Sequence, residues 1–203
     1  MICLVTALPA EARPLVARLG LRSLDQGDPF RIWEGDGTTL IVSGVGKMAA
    51  AAAVAHLRQR LSGSSIGGWI NVGIGGHRSY PLGSPILASE VRDATSGQRW
   101  SPAIPFSPPC RTDAVLTVER VERLYPEAVV YDMEASGFYE AALHGGDPGL
   151  VQVLKVVSDN KTSSVDRVSG ARVEQLLEAS ADTIENLVSA VARRAQQSAA
   201  AGY

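Results

Sequence analysis

Three carboxylates stand where a chain of this pattern can use them. Glu11 lies in "TALPAEARPL", Glu134 in "YDMEASGF" and Asp159 in "VLKVVSDN". Each comes after a short apolar run and precedes a helical or polar stretch. Taken singly, each has an ordinary reading. Glu11 and Glu134 are favourable charges at helix N-termini, with Asp132 as a cap for the second helix, and Asp159 opens an Asx turn into "NKTSS". Taken together they suit one reaction. A carboxylate accepts two hydroxyl hydrogen bonds at once, which matches the vicinal diol of a ribose. A second carboxyl, desolvated enough to hold a proton near neutral pH, can give it to a leaving group. A third can orient or deprotonate a water. These tasks describe hydrolysis of an N-glycosidic bond, a parallel to the carboxylate pairs of sugar-cleaving enzymes. The spacing allows this chemistry without demanding it.

The acids meet only if the elements before them end at one edge. Met1 to Ala7, Thr39 to Ser43, Trp69 to Val72, Ala128 to Tyr131 and Leu150 to Val157 are short apolar runs that read as buried strands. A further strand spans Leu82 to Val91. Helical spacing covers Ala10 to Leu19, with Pro9 at the start, and also Lys47 to Leu61 and Glu134 to Leu143. A final helix is expected from Ala171 to Arg194, with Val173, Leu176, Leu177 and Ile184 on its apolar stripe. Residues 94–112, rich in Gly, Pro and Ser, carry no clear pattern. Strands alternating with helices mean an α/β fold with a largely parallel sheet. Ligands of such sheets bind beyond the carboxyl ends of the strands. That rule singles out 7–11, 43–47, 73–77, 133–134 and 158–160.

The glycine-rich stretches at those ends are read as tight turns. "SGVGK" lacks the Walker spacing, and "GVGKMA" is not a dinucleotide fingerprint. "NVGIGGH" lets backbone approach a ligand closely, with a sharp turn after a strand as its ordinary reading, and His77 is expected to be a surface or hydrogen-bonded loop residue. His56 and His144 fall in or near helices, and no His, Cys or Asp cluster has metal-ligand spacing. No metal and no cofactor are expected.

Composition narrows the partners. The 203 residues carry a formal net charge of −2, with 45% hydrophobic and 20% charged residues. No basic stripe points to nucleic acid or a membrane surface. The N-terminus has no basic region ahead of its short apolar run, so no signal peptide is expected. The alanine-rich 48–55, between Lys47 and His56, reads as a soluble helix. Two distant cysteines, Cys3 and Cys110, make neither a disulfide framework nor a zinc site. A reducing, cytoplasmic setting is the expectation.

In order along the chain, "TALPAEARPL", "VSGVGKMAAAAAVAHL", "NVGIGG", "PLGSPILASEV", "VYDMEASGFYEAA" and "VLKVVSDN" resemble the nucleoside phosphorylase and nucleosidase superfamily. The resemblance spans residues 6–160. It is strongest to methylthioadenosine/S-adenosylhomocysteine nucleosidases and futalosine hydrolases, and rests most on "DME" together with the later "SD". It implies a three-layer αβα sandwich around a central mixed, largely parallel sheet, as one domain over 1–195 with a frayed tail at 196–203. It also implies roles. Glu134 resembles the glutamate that holds the ribose, and Met133 the methionine that packs on the sugar. Asp159 resembles the acid that protonates the purine at N7, Ser158 the serine before it, and Glu11 the glutamate that activates water. Gly75 and Ile74 fall in the substrate-contacting loop. Ile74 stands where relatives carry a hydroxyl or small residue, which weakens a phosphate site, although Arg78 and Lys47 offer positive charge. The segment from 91 to 129, which contributes base contacts in relatives, is trimmed and proline-rich.

The implied activity is hydrolysis of a purine-like ribonucleoside by a cytoplasmic homo-oligomer. Three alternatives stay open at this point. One is phosphorolysis of the same bond, with phosphate as co-substrate. Another is a nucleoside-binding protein without turnover, and the last an unrelated α/β domain whose acids only cap helices.

Overall fold

The computed structural model describes residues 1–24, 27–144 and 147–200. In chain order the elements are β1 (Ile2–Thr6), α1 (Pro9–Arg18), β2 (Arg22–Ser23), β3 (Arg31–Gly35), β4 (Thr38–Val42), α2 (Lys47–Arg60), β5 (Gly68–His77) and β6 (Pro85–Asp93). They continue as β7 (Arg99–Trp100), β8 (Arg111–Thr117), β9 (Val130–Asp132), α3 (Ala135–Leu143), β10 (Val151–Asp159), α4 (Gly170–Ala179) and α5 (Ala181–Ala200).

The sheet is parallel through β4-β1-β5-β10. These strands are the near-continuous apolar runs of the sequence. Both faces of β1 and β10 are covered, which is why neither alternates polar with apolar. On one flank β3 and β2 extend the sheet by antiparallel pairing. On the other, β10 pairs antiparallel with β6, β6 runs parallel to β8, and β8 runs parallel to β9. β9 then returns to the last two residues of β5, pairing Tyr131 with Gly76 and Val130 with His77. Strands β5-β10-β6-β8-β9 thus close into a ring. The closure sets Asp132, Met133 and Glu134 beside the carboxyl ends of β5 and β10.

Helices cover both faces. On one side α2 and α3 pack through Ala50, Ala53, Leu57, Phe138 and Tyr139. On the other, α1, α4 and α5 contribute Leu15, Val173, Leu177, Ile184 and Leu187. The three-layer αβα arrangement expected from the sequence is present. Among the described residues, no helix is long and apolar enough to cross a membrane.

The structure departs from the sequence reading in several places. The single helix expected over 171–194 is two, parted at Ser180. There the N–H reaches back only three residues, to the Leu177 carbonyl, and φ and ψ are −100° and 4°. α4 lies against α1 and β10, whereas α5 runs over β1 and β5, so the break turns the chain between two seats. α5 also continues to Ala200, through most of the segment expected to fray, and 201–203 fall outside the described residues. β3 and β8 were not anticipated. The β3–β4 hairpin turns at Asp36 and Gly37, both with positive φ (45° and 73°), the geometry favoured for an Asp-Gly pair. "GIGG" is not a turn: β5 runs straight through it to His77. His77 is buried rather than superficial, and its Nδ1 accepts from the N–H groups of Ser79 and Tyr80.

Candidate active site

A cavity of about 220 Å³ opens at the carboxyl ends of β1, β5, β9 and β10. Glu11, Ile74, Gly75, Met133, Glu134, Ser158 and Asp159, all seven candidate residues from the sequence, line it. They come from four separate stretches of chain, and the parallel topology with the β9 return is what gathers them. Val118, Val121 and Glu122, from the loop between β8 and β9, form a further wall.

Glu11 is buried and folds back over the start of its own helix. Its Oε2 accepts from the N–H groups of Ala7 (2.8 Å) and Leu8 (2.9 Å), and its Oε1 from Ile74 (2.9 Å). Burial pushes its carboxyl above the ordinary range, against the pull of Lys155 and these three donors. A carboxylate offers about four lone-pair directions. Three are taken, so Oε1 keeps room for one more donor, such as a water.

Glu134 sits at the head of α3. Its Oε1 accepts from Gly46 N–H at 2.9 Å, and its Oε2 is 3.8 Å from Lys155 Nζ. Burial raises its carboxyl to about 7, with Lys155 opposing and Asp132 adding to the rise. Asp132 is the true cap of α3: its Oδ2 accepts from Glu134 and Ala135 N–H, and its Oδ1 from Thr117 Oγ1. The capping expected of Asp132 is therefore present, and it leaves the Glu134 side chain free to face the cavity.

Lys155 was not anticipated. Its ammonium is 1% exposed and lies 2.8 Å from Asp132 Oδ2. Burial alone would lower its proton affinity, but Asp132, Glu134 and Glu11 outweigh that and raise it. Burial is the first cause of the high Glu11 and Glu134 carboxyls, and Lys155 opposes it in both; at Glu134 the neighbouring Asp132 and Glu11 add to the rise. The signal was in the sequence, as the one charged residue in the largely apolar "VQVLKVV". Lysine is almost never fully buried without a partner.

Asp159 ends β10. Ser158 Oγ donates to its Oδ1 at 2.5 Å, and the Tyr125 hydroxyl donates to its Oδ2. The glycines of "GIGG" make room for the acids. A Cβ at Gly73 would lie 2.7 Å from Glu11 Oε1, and one at Gly76 would lie 2.5 Å from Asp159 Oδ2. Ile74 contributes its backbone N–H to Glu11 as well as an apolar wall.

The cations named for a phosphate site are elsewhere. Lys47 Nζ is held by Asp93 at 2.9 and 3.1 Å, and Arg78 donates to the Pro126 carbonyl at the surface. Among the described residues, no Lys or Arg lines the cavity.

No family model and no curated protein matches the chain by sequence. Solved structures do match by fold. The 5′-methylthioadenosine nucleosidase of Arabidopsis thaliana aligns with a TM-score of 0.77 at 18% identity, over 94% of this chain and 95% of that one. A 5′-methylthioadenosine/S-adenosylhomocysteine nucleosidase from Colwellia psychrerythraea, solved with adenine, aligns at 0.71 and 20% identity over 94% and 95%. Futalosine hydrolase of Helicobacter pylori aligns at 0.71 and 14% identity over 93% and 97%. At these identities the likeness establishes the fold, which is that of the nucleosidases.

Proposed function

We propose that the protein is a nucleosidase that hydrolyses the N-glycosidic bond of a purine-like ribonucleoside, without metal or organic cofactor. The observation that carries this reading is the convergence of Glu11, Glu134 and Asp159 on one cavity. In this reading Glu134, with spare acceptor capacity, takes the ribose diol, and Met133 packs on the sugar. Asp159 gives a proton to the ring nitrogen of the departing base. The electron pair of the C–N bond leaves with the base, and the nearby carboxylates favour the oxocarbenium-like sugar. Glu11 receives a proton from the attacking water, whose oxygen bonds to the anomeric carbon. A base held above the ordinary carboxylate range suits that task near neutral pH. The fold shared with nucleosidases that act on or bind adenine nucleosides and adenine supports the purine-like class.

Hydrolysis is favoured over phosphorolysis by the absence of any Lys or Arg among the described residues that line the cavity. The test is a panel of adenosine, inosine and 5′-methylthioadenosine, with and without phosphate, following free base and free sugar. Release of both without phosphate is the expected result. Strict phosphate dependence overturns hydrolysis, and binding without release overturns catalysis. A homo-oligomer is part of the proposal: Val45, Met48, Val121 and Leu124 are exposed apolar side chains, two of them on the cavity rim. Sedimentation of a single 21.4 kDa species would refute it. A cytoplasmic location accords with two free thiols, Cys3 and Cys110.

A further inference from the structure

Tyr125 lies in the loop "VERVERLYPEAV", which the sequence reading left without a role. Its hydroxyl donates to Asp159 Oδ2, while Ser158 Oγ occupies Oδ1. Three further observations show that this contact is built in. Tyr125 is 2% exposed, and its ring meets Tyr131 edge-on at 6.0 Å. It adopts φ 47°, one of two non-glycine residues with positive φ among the described residues, and such strain persists only where the surroundings enforce it. The pair also crosses over Gly76, where a Cβ would lie 2.5 Å from Asp159 Oδ2 and 2.7 Å from Tyr125 Cε1. Packing of the small cluster formed by Ala114, Tyr125, Val129 and Tyr131 needs only a phenyl ring. The hydroxyl therefore serves something other than packing.

We propose that Tyr125 is a positioning residue for Asp159: it fixes the carboxyl group toward the cavity and stabilises the carboxylate left when the proton passes to the base. This rests on the nucleosidase reading. Asp159 enters the chemical step as a carboxylic acid and leaves it as a carboxylate, its proton on the ring nitrogen and the C–N electron pair with the base. Tyr125 keeps its own proton throughout. A hydroxyl hydrogen bond strengthens as its acceptor becomes charged, so its effect is larger in the transition state than in the bound substrate and falls on kcat. The same loop carries Val118, Val121 and Glu122 on the cavity wall. Tyr125 therefore ties that wall and the acid into one unit.

The test compares Tyr125→Phe with the unaltered protein on two ribosides. One is the best purine riboside of the panel above. The other is 4-nitrophenyl β-D-ribofuranoside, whose leaving group departs as a phenolate and needs no proton. Phenylalanine keeps the ring, the backbone geometry and the Tyr131 contact, and a urea melt confirms folding. The expected result is a fall in kcat of about 10- to 100-fold on the purine riboside, KM within about threefold, and little change on the nitrophenyl compound. A loss of equal size on both compounds, no loss on either, or a change confined to KM on the purine riboside overturns the role of Tyr125 and leaves the nucleosidase reading standing. Cleavage of neither compound by the unaltered protein overturns the nucleosidase reading, and the role of Tyr125 falls with it.

Discussion

Replacing Glu134 by glutamine separates what that carboxyl does for binding from what it does to stability, and the two effects have opposite signs. Burial raises its carboxyl from an ordinary 4.5 to about 7. A carboxyl whose folded value is raised contributes stability that is fully present below the unfolded value of 4.5. That contribution is lost as pH rises through about 7. By pH 8 the loss amounts to about 3 kcal/mol. Glutamine does not ionise, and its carbonyl keeps the bond from Gly46 N–H. In urea melts Glu134→Gln should match the unaltered protein within about 1 kcal/mol at pH 4.5. At pH 8 it should be more stable by about 3 kcal/mol, or about 6–12 °C in Tm. Turnover should move the other way. Losing a charged acceptor for two ribose hydroxyls lowers kcat/KM on the order of a thousandfold. A stability difference that stays flat between pH 4.5 and 8 would refute the claim that Glu134 is a strained, desolvated acid. Unchanged turnover would refute its role as the sugar ligand.

The same geometry predicts two further outcomes. Lys155→Met strands Asp132, Glu134 and Glu11 without their ammonium, so urea melts at pH 8 should show a loss of about 3–5 kcal/mol. The loss should shrink at pH 5, below the value of about 7 at which Glu134 takes up its proton, and a pH-independent loss would contradict the shared-charge account. Gly76→Ala normally suits a strand, yet here its Cβ meets Asp159 and Tyr125. Turnover should fall more than about tenfold, with about 1–3 kcal/mol of stability lost to the displaced pair. Wild-type turnover in that variant would show that the acid does not need this position.

The positions of the acids were legible because they rest on local pattern. β1 and most of β10 are apolar runs, and the residues just after such a run in a parallel sheet lie at its carboxyl edge. The ring closure was not legible, because β9 joins β5 through only two residue pairs from distant parts of the chain. The β3–β4 hairpin did leave a signal, Asp36-Gly37 between alternating residues, which went unread. Glycine suggested both close approach and a turn at "GIGG", and only the turn is absent. Here the glycines keep extended backbone and serve close approach, since Glu11 and Asp159 occupy the space their side chains would fill. Tyr125 left no signal at all. Its partner is 34 residues away, in a segment whose composition says only loop.

The ordinary and functional readings of the acids also turn out not to exclude each other, and counting their partners shows why. Asp132 spends its capacity on Thr117, two helix N–H groups and Lys155. It is buried and complete, and its work is to cap α3 and neutralise Lys155. Glu11 does cap its own helix, as the bland reading held, yet retains one acceptor direction at the cavity. Glu134 holds a single N–H bond at 2.9 Å and only a distant ammonium, so it has the most left to offer a ligand. Asp159 is held by one donor on each oxygen, Ser158 on Oδ1 and Tyr125 on Oδ2. Asp132 also borders the cavity, but its partners are complete; Glu11, Glu134 and Asp159 are the buried cavity acids left unsaturated, and unsaturated buried carboxyls are costly unless a ligand completes them. A chain that needed these residues only as caps would gain stability from amides or shorter side chains at Glu134. The pH dependence of Glu134→Gln measures that gain directly.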